Sequence, residues 1–155
     1  MTGNALAGCW GDFDGRYVGR MTITDDASDF RPKKIRSYRD LIVWRKGISL
    51  AVESYELARK LPASERFILR DQMLRAAISI PSNIADGHGQ VSKGVFVRHL
   101  GIARGSLNEL ETLLEIAKRV NYHDDTEQAK ATLLADEFGR MLWALKQKLG
   151  TRHWK

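Results

Sequence analysis

From Ser37 to Leu149 apolar side chains return every three or four positions, and nowhere do they settle into strict alternation. Leu41, Trp44, Ile48, Ala51, Tyr55 and Ala58 are spaced 3, 4, 3, 4, 3, which predicts an amphipathic helix over about 38–60, ending before Pro62. Ser37 with Asp40 three residues on reads as its capping box. At 1.5 Å per residue such a helix is roughly 35 Å long. A second helix is expected from near Ser64, with core positions Leu69, Met73, Ala76, Ile80 and Ile84, stopping at Gly87 or Gly89. The third has the most regular stripe: Phe96, Leu100, Ala103, Leu107, Leu110, Leu114 and Ala117, with Ser92 placed to cap it and Lys118 and Arg119 at its negative end. A fourth begins at Asp124, with Glu127 three residues on, and carries Ala131, Leu134, Phe138, Met141, Leu145 and Leu149 before Gly150. Four long helices with short connections imply an all-α, up-and-down antiparallel four-helix bundle.

One residue breaks the pattern from inside. Pro81 lies among Ser79, Ser82 and Asn83 in RAAISIPSNIADGHG. Proline has no N–H for the carbonyl of Ala77, and its ring crowds that carbonyl, so the second helix is expected to kink there at a cost of about 3 kcal/mol. Ser79 and Ser82 can satisfy the loosened backbone, and Asn83 can bridge to a neighbouring helix. The same three side chains could instead form part of a site. Gly101 and Gly105, spaced GxxxG and followed by Ser106, suggest close helix–helix contact within the bundle or between subunits.

Residues 1–32 have no such period and read as a poorly ordered tail, with 33–150 as the bundle and 151–155 as a C-terminal tail. Met21 is a second plausible start. A single cysteine, Cys9, excludes an internal disulfide framework and fits a reducing, cytoplasmic setting. No apolar run approaches a membrane span. Charge is uneven: residues 1–30 carry a net −3, while 31–155 carry 23 basic against 14 acidic groups, a net +9. A basic domain attracts polyanions through its long-range field.

Signatures of catalysis are missing. The residues three before His88, His99, His123 and His153 are Ala85, Phe96, Val120 and Gly150, so the Glu-x-x-His motif of di-metal bundles is absent. Cys9 alone makes no zinc site. Helical RNases of the HEPN type need Arg followed by His after four to six residues; Arg119 and His123 are separated by three. There is no nucleophile elbow, phosphate loop or dinucleotide fingerprint. His99 is expected to be a packed or interface histidine, and Asn108, Glu109, Glu111 and Glu115 a solvated or salt-bridged face. No metal or cofactor is expected, and no enzyme activity.

The basic residues point elsewhere. Lys33, Lys34, Arg36, Arg39, Arg45 and Lys46 cluster at the start of the first helix, with Tyr38 and Trp44 among them, and Arg66, Arg70 and Arg75 follow on the second. Basic groups interleaved with aromatics can hold RNA by phosphate contact and stacking. The same charges could be a solubilising face, and Trp44, on the apolar stripe, is expected to be buried.

QMLRAAISIPSNIADGHG (72–89), DLIVWRKG (40–47) and FVRHLGIARGSLNELETLLEIA (96–117) together resemble the bacterial four-helix-bundle proteins encoded by intervening sequences in 23S rRNA genes, a likeness extending over about 37–149. Asp86 and His88 depart from the usual family residues and alter the local surface. The resemblance implies a left-handed bundle assembled as a basic homopentamer without catalytic residues. It makes Ser79, Pro81, Ser82, Asn83, Gly87, Gly105, Ser106 and Glu109 structural signature positions, with Pro81 a bend of the fold. It also implies similarity to the accessory variability proteins of diversity-generating retroelements, which bind a reverse transcriptase and its template RNA. The expected partners are therefore other copies of the chain and nucleic acid, RNA rather than DNA. A reverse transcriptase is the alternative, and no membrane is involved.

Overall fold

A computed structural model describes residues 35–90 and 92–150. The expected tails 1–32 and 151–155, and the candidate nucleic-acid contacts Lys33 and Lys34, lie outside the described residues. The chain forms four helices: α1 (Ile42–Lys60), α2 (Leu69–Gly89), α3 (Lys93–Arg119) and α4 (Asp125–Gly150). Among the described residues there is no strand. The helices pack cyclically, α1 on α2, α2 on α3, α3 on α4 and α4 back on α1, with α2 and α3 sharing the most extensive contact. This is the up-and-down four-helix bundle that the periodicity predicts.

The boundaries differ from the sequence reading for local reasons. Ser37 and Asp40 do form a reciprocal capping box, but it closes a 3₁₀ turn, Tyr38–Asp40; Leu41 is extended (φ −72°, ψ 119°), and α1 starts after it. Ala63–Glu65 is a second 3₁₀ turn, so α2 begins at Leu69 rather than near Ser64. Ser92 occupies the N-cap position of α3 without a side-chain capping bond. That helix ends at Arg119, and Asn121, two residues on, has a φ of 60° that lets Tyr122 N–H reach Ala117 O and Asn121 N–H reach Lys118 O, both at 2.9 Å. These two bonds satisfy its last carbonyls in a Schellman motif. At the start of α4, Glu127 N–H donates to Asp124 Oδ1 (2.8 Å) and Asp124 N–H to Glu127 Oε2 (3.1 Å), a complete capping box.

The core is apolar and continuous. Leu50, Leu57, Met73, Ile80, Ile84, Leu100, Leu107, Leu110, Phe138 and Leu142 are essentially inaccessible to water. The expected stripes of α2 and α3 are the buried ones, with Phe96 half-buried. On α1 the buried line is instead Val43, Gly47, Leu50, Ser54, Leu57 and Leu61, with Leu41, Ala51 and Ala58 beside it. Ile48 and Tyr55, assigned to the core from spacing, are 38% and 39% exposed, and Trp44 is half-buried. Two apolar lines run along α1, and only one can point at the bundle axis. On α4 the line shifts similarly to Gln128, Ala131, Ala135, Phe138 and Leu142, leaving Leu134, Met141, Leu145 and Leu149 half-buried.

Helix α2 runs through Pro81 without a break. Ser82 Oγ donates to Ile78 O (2.9 Å), the carbonyl next to the Ala77 carbonyl that Pro81 leaves without its N–H. Ser79 and Asn83 exchange their expected roles. Asn83 Nδ2 stays within α2, donating to Ser79 O (2.8 Å) and Ser79 Oγ (3.0 Å), while Ser79 Oγ reaches across to α3 and accepts from Ser106 Oγ at 2.9 Å.

Close approaches between helices fall at other glycines than Gly101 and Gly105. A Cβ on Gly47 would lie 3.3 Å from Ile80 and Phe138, one on Gly87 2.5 Å from His99 Cβ, and one on Gly139 2.7 Å from Arg104 Nη1. Around Gly105 there is nothing within 4 Å, so packing within the bundle does not require a glycine there. The α1/α4 seam carries three ion pairs, Lys46–Glu137 (2.8 Å), Glu53–Lys130 and Lys60–Glu127 (3.1 Å).

Candidate nucleic-acid interface

Antiparallel packing gives the bundle two ends with different electrostatics. One end holds the start of α1, the end of α2, the start of α3 and the end of α4. Arg36, Arg39 and Arg45 share that end with Lys93 and Arg98 of α3 and Lys146 of α4, where the carboxylates are those of Asp40 and Asp86; Lys148 also lies there, with its Nζ buried. Asp40 is engaged in the cap, accepting from the backbone N–H groups of Arg36 (2.8 Å) and Ser37 (3.1 Å). At the start of α1 the aromatic and basic groups are organised. Tyr38 and Trp44 meet edge to face at 5.1 Å, the Arg39 guanidinium lies 4.8 Å above the Tyr38 ring, and Arg45 Nε donates to Arg39 O at 2.8 Å. The result is a short basic-aromatic ridge, half-buried at the rings and exposed at Arg36, Arg39 and Arg45.

The sequence-predicted basic residues divide. Arg36, Arg39 and Arg45 belong to this ridge. Lys46 is beside it but paired with Glu137. Arg66, Arg70 and Arg75 lie toward the opposite end, up to about 28 Å away along α2. Arg70 Nη2 donates to Leu61 O at 2.6 Å, so its role is to cap the last carbonyls of α1. Arg75 pairs with Asp71 (3.2 Å), and Arg66 sits 5.2 Å over the Phe67 ring in the α1–α2 connection. Lysines 93, 146 and 148 and Arg98 were missed by reading along the chain, because antiparallel helices return them from distant positions.

The opposite end mixes both signs. Arg119 hydrogen-bonds Glu115 and holds that carboxyl below the usual carboxylate range, while Asp125 pairs with Lys118 (2.6 Å) and raises its ammonium pKa. Asp124 N–H and then Lys60 depress Glu127. Burial pushes Glu111 up, with Arg104 opposing and Asp136 adding to the shift. Two shallow depressions, ≈ 550 and ≈ 300 Å³, lie along this part of α3 and its seam with α4, and Glu111 and Glu115 line both.

No triad geometry appears at the signature positions. Ser79, Ser106 and Asn83 bond to one another and to carbonyls of their own helices. His123 is buried elsewhere, its Nε2 3.0 Å from Leu57 O and its Nδ1 3.3 Å from Gln128 Nε2, which also donates to Leu114 O (2.8 Å). That places the ring proton on Nε2 and makes Nδ1 an acceptor. His99 is half-buried beside Gly87, with a buried Nδ1 lacking a hydrogen-bond partner. Among the described residues, no group of three or more His, Cys, Asp or Glu converges as for a metal ion, and no helix is long and apolar enough to cross a membrane.

Comparison with known proteins agrees with the fold. The model of the 23S rRNA-intervening sequence protein family matches residues 39–144. A crystal structure of a Bacteroides thetaiotaomicron protein with unknown function, from the S23 ribosomal protein family, superposes with a TM-score of 0.63 at 26% identity, covering 68% of this chain and 98% of that one. No curated protein matches.

Proposed function

Since this chain belongs to the 23S rRNA-intervening sequence protein family, we propose that it is a non-catalytic, oligomeric protein that binds structured RNA through the basic end of the bundle. The observation that carries this reading is the charge segregation. Arg36, Arg39 and Arg45 share one end with Lys93, Arg98 and Lys146, while most of the carboxylates lie toward the other end. A polyanion is attracted by such a surface and releases counterions on binding.

Fluorescent structured RNA and duplex DNA, titrated against the full chain across a salt series with subunit number followed by light scattering, test it. Micromolar or tighter binding is expected, falling steeply with salt. Replacing Arg36, Arg39 and Arg45 by alanine should abolish most of it and flatten the salt slope by about three. Replacing Arg66 and Arg75 should change little. Absence of binding by an intact oligomer would overturn the reading.

The exposed row Ile48, Val52 and Tyr55 on α1 favours a protein contact as well. Assembly into a homopentamer would cover such a row. So would docking on a reverse transcriptase, as in the accessory variability proteins that the sequence resembles. Loss of pentamer mass on Val52→Asp would assign the row to other copies of the chain. Retained mass with loss of reverse-transcriptase pull-down would assign it to that partner.

A further inference from the structure

Trp143 is 64% exposed on the outer face of α4. Among the described residues no ring stacks on it and no guanidinium covers it. Its surroundings separate it from the apolar row on α1. Arg140 lies one turn before it and Lys146 one turn after, about 9 Å apart along the helix. Two glycines bring further positive charge across the α3/α4 seam. Arg104 Nη1 occupies the space that a Gly139 side chain would fill, and Lys146 Nζ lies 3.7 Å from where Gly101 would carry a Cβ. Asp136, the nearest acid on that face of α4, is two turns away toward the mixed-charge end, where Glu111 also lies.

We propose that Trp143 is a stacking platform for an unpaired base, with Arg104, Arg140 and Lys146 holding the flanking phosphates. This rests on the nucleic-acid reading above and narrows it to strands with an accessible base. An indole offers a large flat face, and every base has a matching one. In a duplex both faces of a base are occupied by its neighbours, so only a single strand, loop or bulge can use the platform. An apolar protein contact would want apolar neighbours. Here the neighbours are cations.

The test uses the full chain, a fluorescein-labelled oligoadenylate, and the same strand annealed to oligouridylate. Trp143→Ala is expected to weaken binding of the single strand by about 5- to 100-fold, with the duplex affinity and the salt slope unchanged. Trp143→Phe should recover most of the loss, and Arg140→Gln with Lys146→Gln should reduce the salt slope. Equal loss on both strands, no loss on either, or a drop in subunit mass on Trp143→Ala would overturn the proposal, the last by making the indole a contact between proteins. If the unaltered chain binds neither strand, the nucleic-acid reading fails with it. If it binds the duplex while Trp143→Ala is silent on the single strand, only the platform fails.

Discussion

The same substitution, glycine to alanine, is expected to act with opposite sign at two positions of one helix pair. At Gly87 a new Cβ would stand 2.5 Å from His99 Cβ and 2.9 Å from Phe96 Cδ2. The phenyl ring can swing aside, but His99 Cβ is fixed to the backbone of α3. Restoring ordinary contact therefore requires α2 and α3 to separate by about 1 Å in a closely packed interior. Overpacking of this kind costs about 1–3 kcal/mol, and the better helix propensity of alanine returns up to about 1. Gly87→Ala should lose about 1–2 kcal/mol. At Gly105 nothing lies within 4 Å, so only the propensity gain remains and Gly105→Ala should add about 0.5–1 kcal/mol. Urea unfolding followed by circular dichroism would place the two midpoints on opposite sides of the wild type, with thermal midpoints separated by about 10 °C. Equal stability of Gly87→Ala and wild type would refute the packing argument. Destabilisation by Gly105→Ala would refute the view that this glycine has no role inside a single bundle.

Ser106→Ala removes the hydroxyl that reaches Ser79 and should cost about 1 kcal/mol in urea unfolding; Ser79→Ala should cost less on that background than in the wild type, because the shared bond is already gone and only the contact from Asn83 remains to lose. His123→Ala leaves Leu57 O without its buried donor and Gln128 without a neighbour, and should cost about 2–3 kcal/mol, with a double-mutant cycle against Gln128→Leu showing coupling. Arg70→Ala should lower thermal stability while leaving RNA affinity unchanged, since that guanidinium is tied to Leu61 O. Two glutamates should respond oppositely to pH. Glu127, depressed by its cap bond and Lys60, contributes stability above the ordinary carboxylate pKa that is lost as pH falls through the depressed value, so Glu127→Gln should destabilise at neutral pH and converge with wild type in acid. Glu111, raised by burial, is disfavoured when ionised, so Glu111→Gln should stabilise above the raised pKa and lose that advantage below the ordinary carboxylate range.

The helices were legible where one apolar line dominates. On α3 the spacing names the core residues because its one unbroken line, from Leu100 to Ala117, is the buried one, while Val95, Ile102 and Ile116 stand exposed among charged residues. On α1, Val43–Leu50–Leu57 and Ile48–Tyr55 are both apolar at helical spacing, and periodicity cannot say which turns inward. What decides is Gly47, whose bare backbone lets Ile80, Pro81 and Phe138 approach that face. The basic ridge was legible as a run of residues around Tyr38, yet its extent was not. Adjacency in sequence suggested that Arg66–Arg75 would join it, whereas the turn after α1 carries them to the far end. The first turns of α3 and the last of α4 bring the other basic groups to that end instead. Helix lengths and up-and-down topology held that information, since they bring alternate helix ends together. Trp143 gave no warning, because a tryptophan at the edge of an apolar pattern is ordinarily taken for core.

The ion pairs along α1 and α4 alternate in sign: Lys46, Glu53 and Lys60 on one helix face Glu137, Lys130 and Glu127 on the other. Each exposed pair adds little stability by itself. Their sequence along the seam matters more. If α4 slipped by seven residues in one direction Lys46 would face Lys130, and in the other Glu53 would face Glu137. A greasy interface alone tolerates such sliding, and α4 is bound by smaller, partly exposed apolar contacts than its neighbours. The alternation therefore works as a vernier: it makes a misaligned last helix repel itself, and so fixes how far Trp143 and Lys146 stand from the ridge on α1.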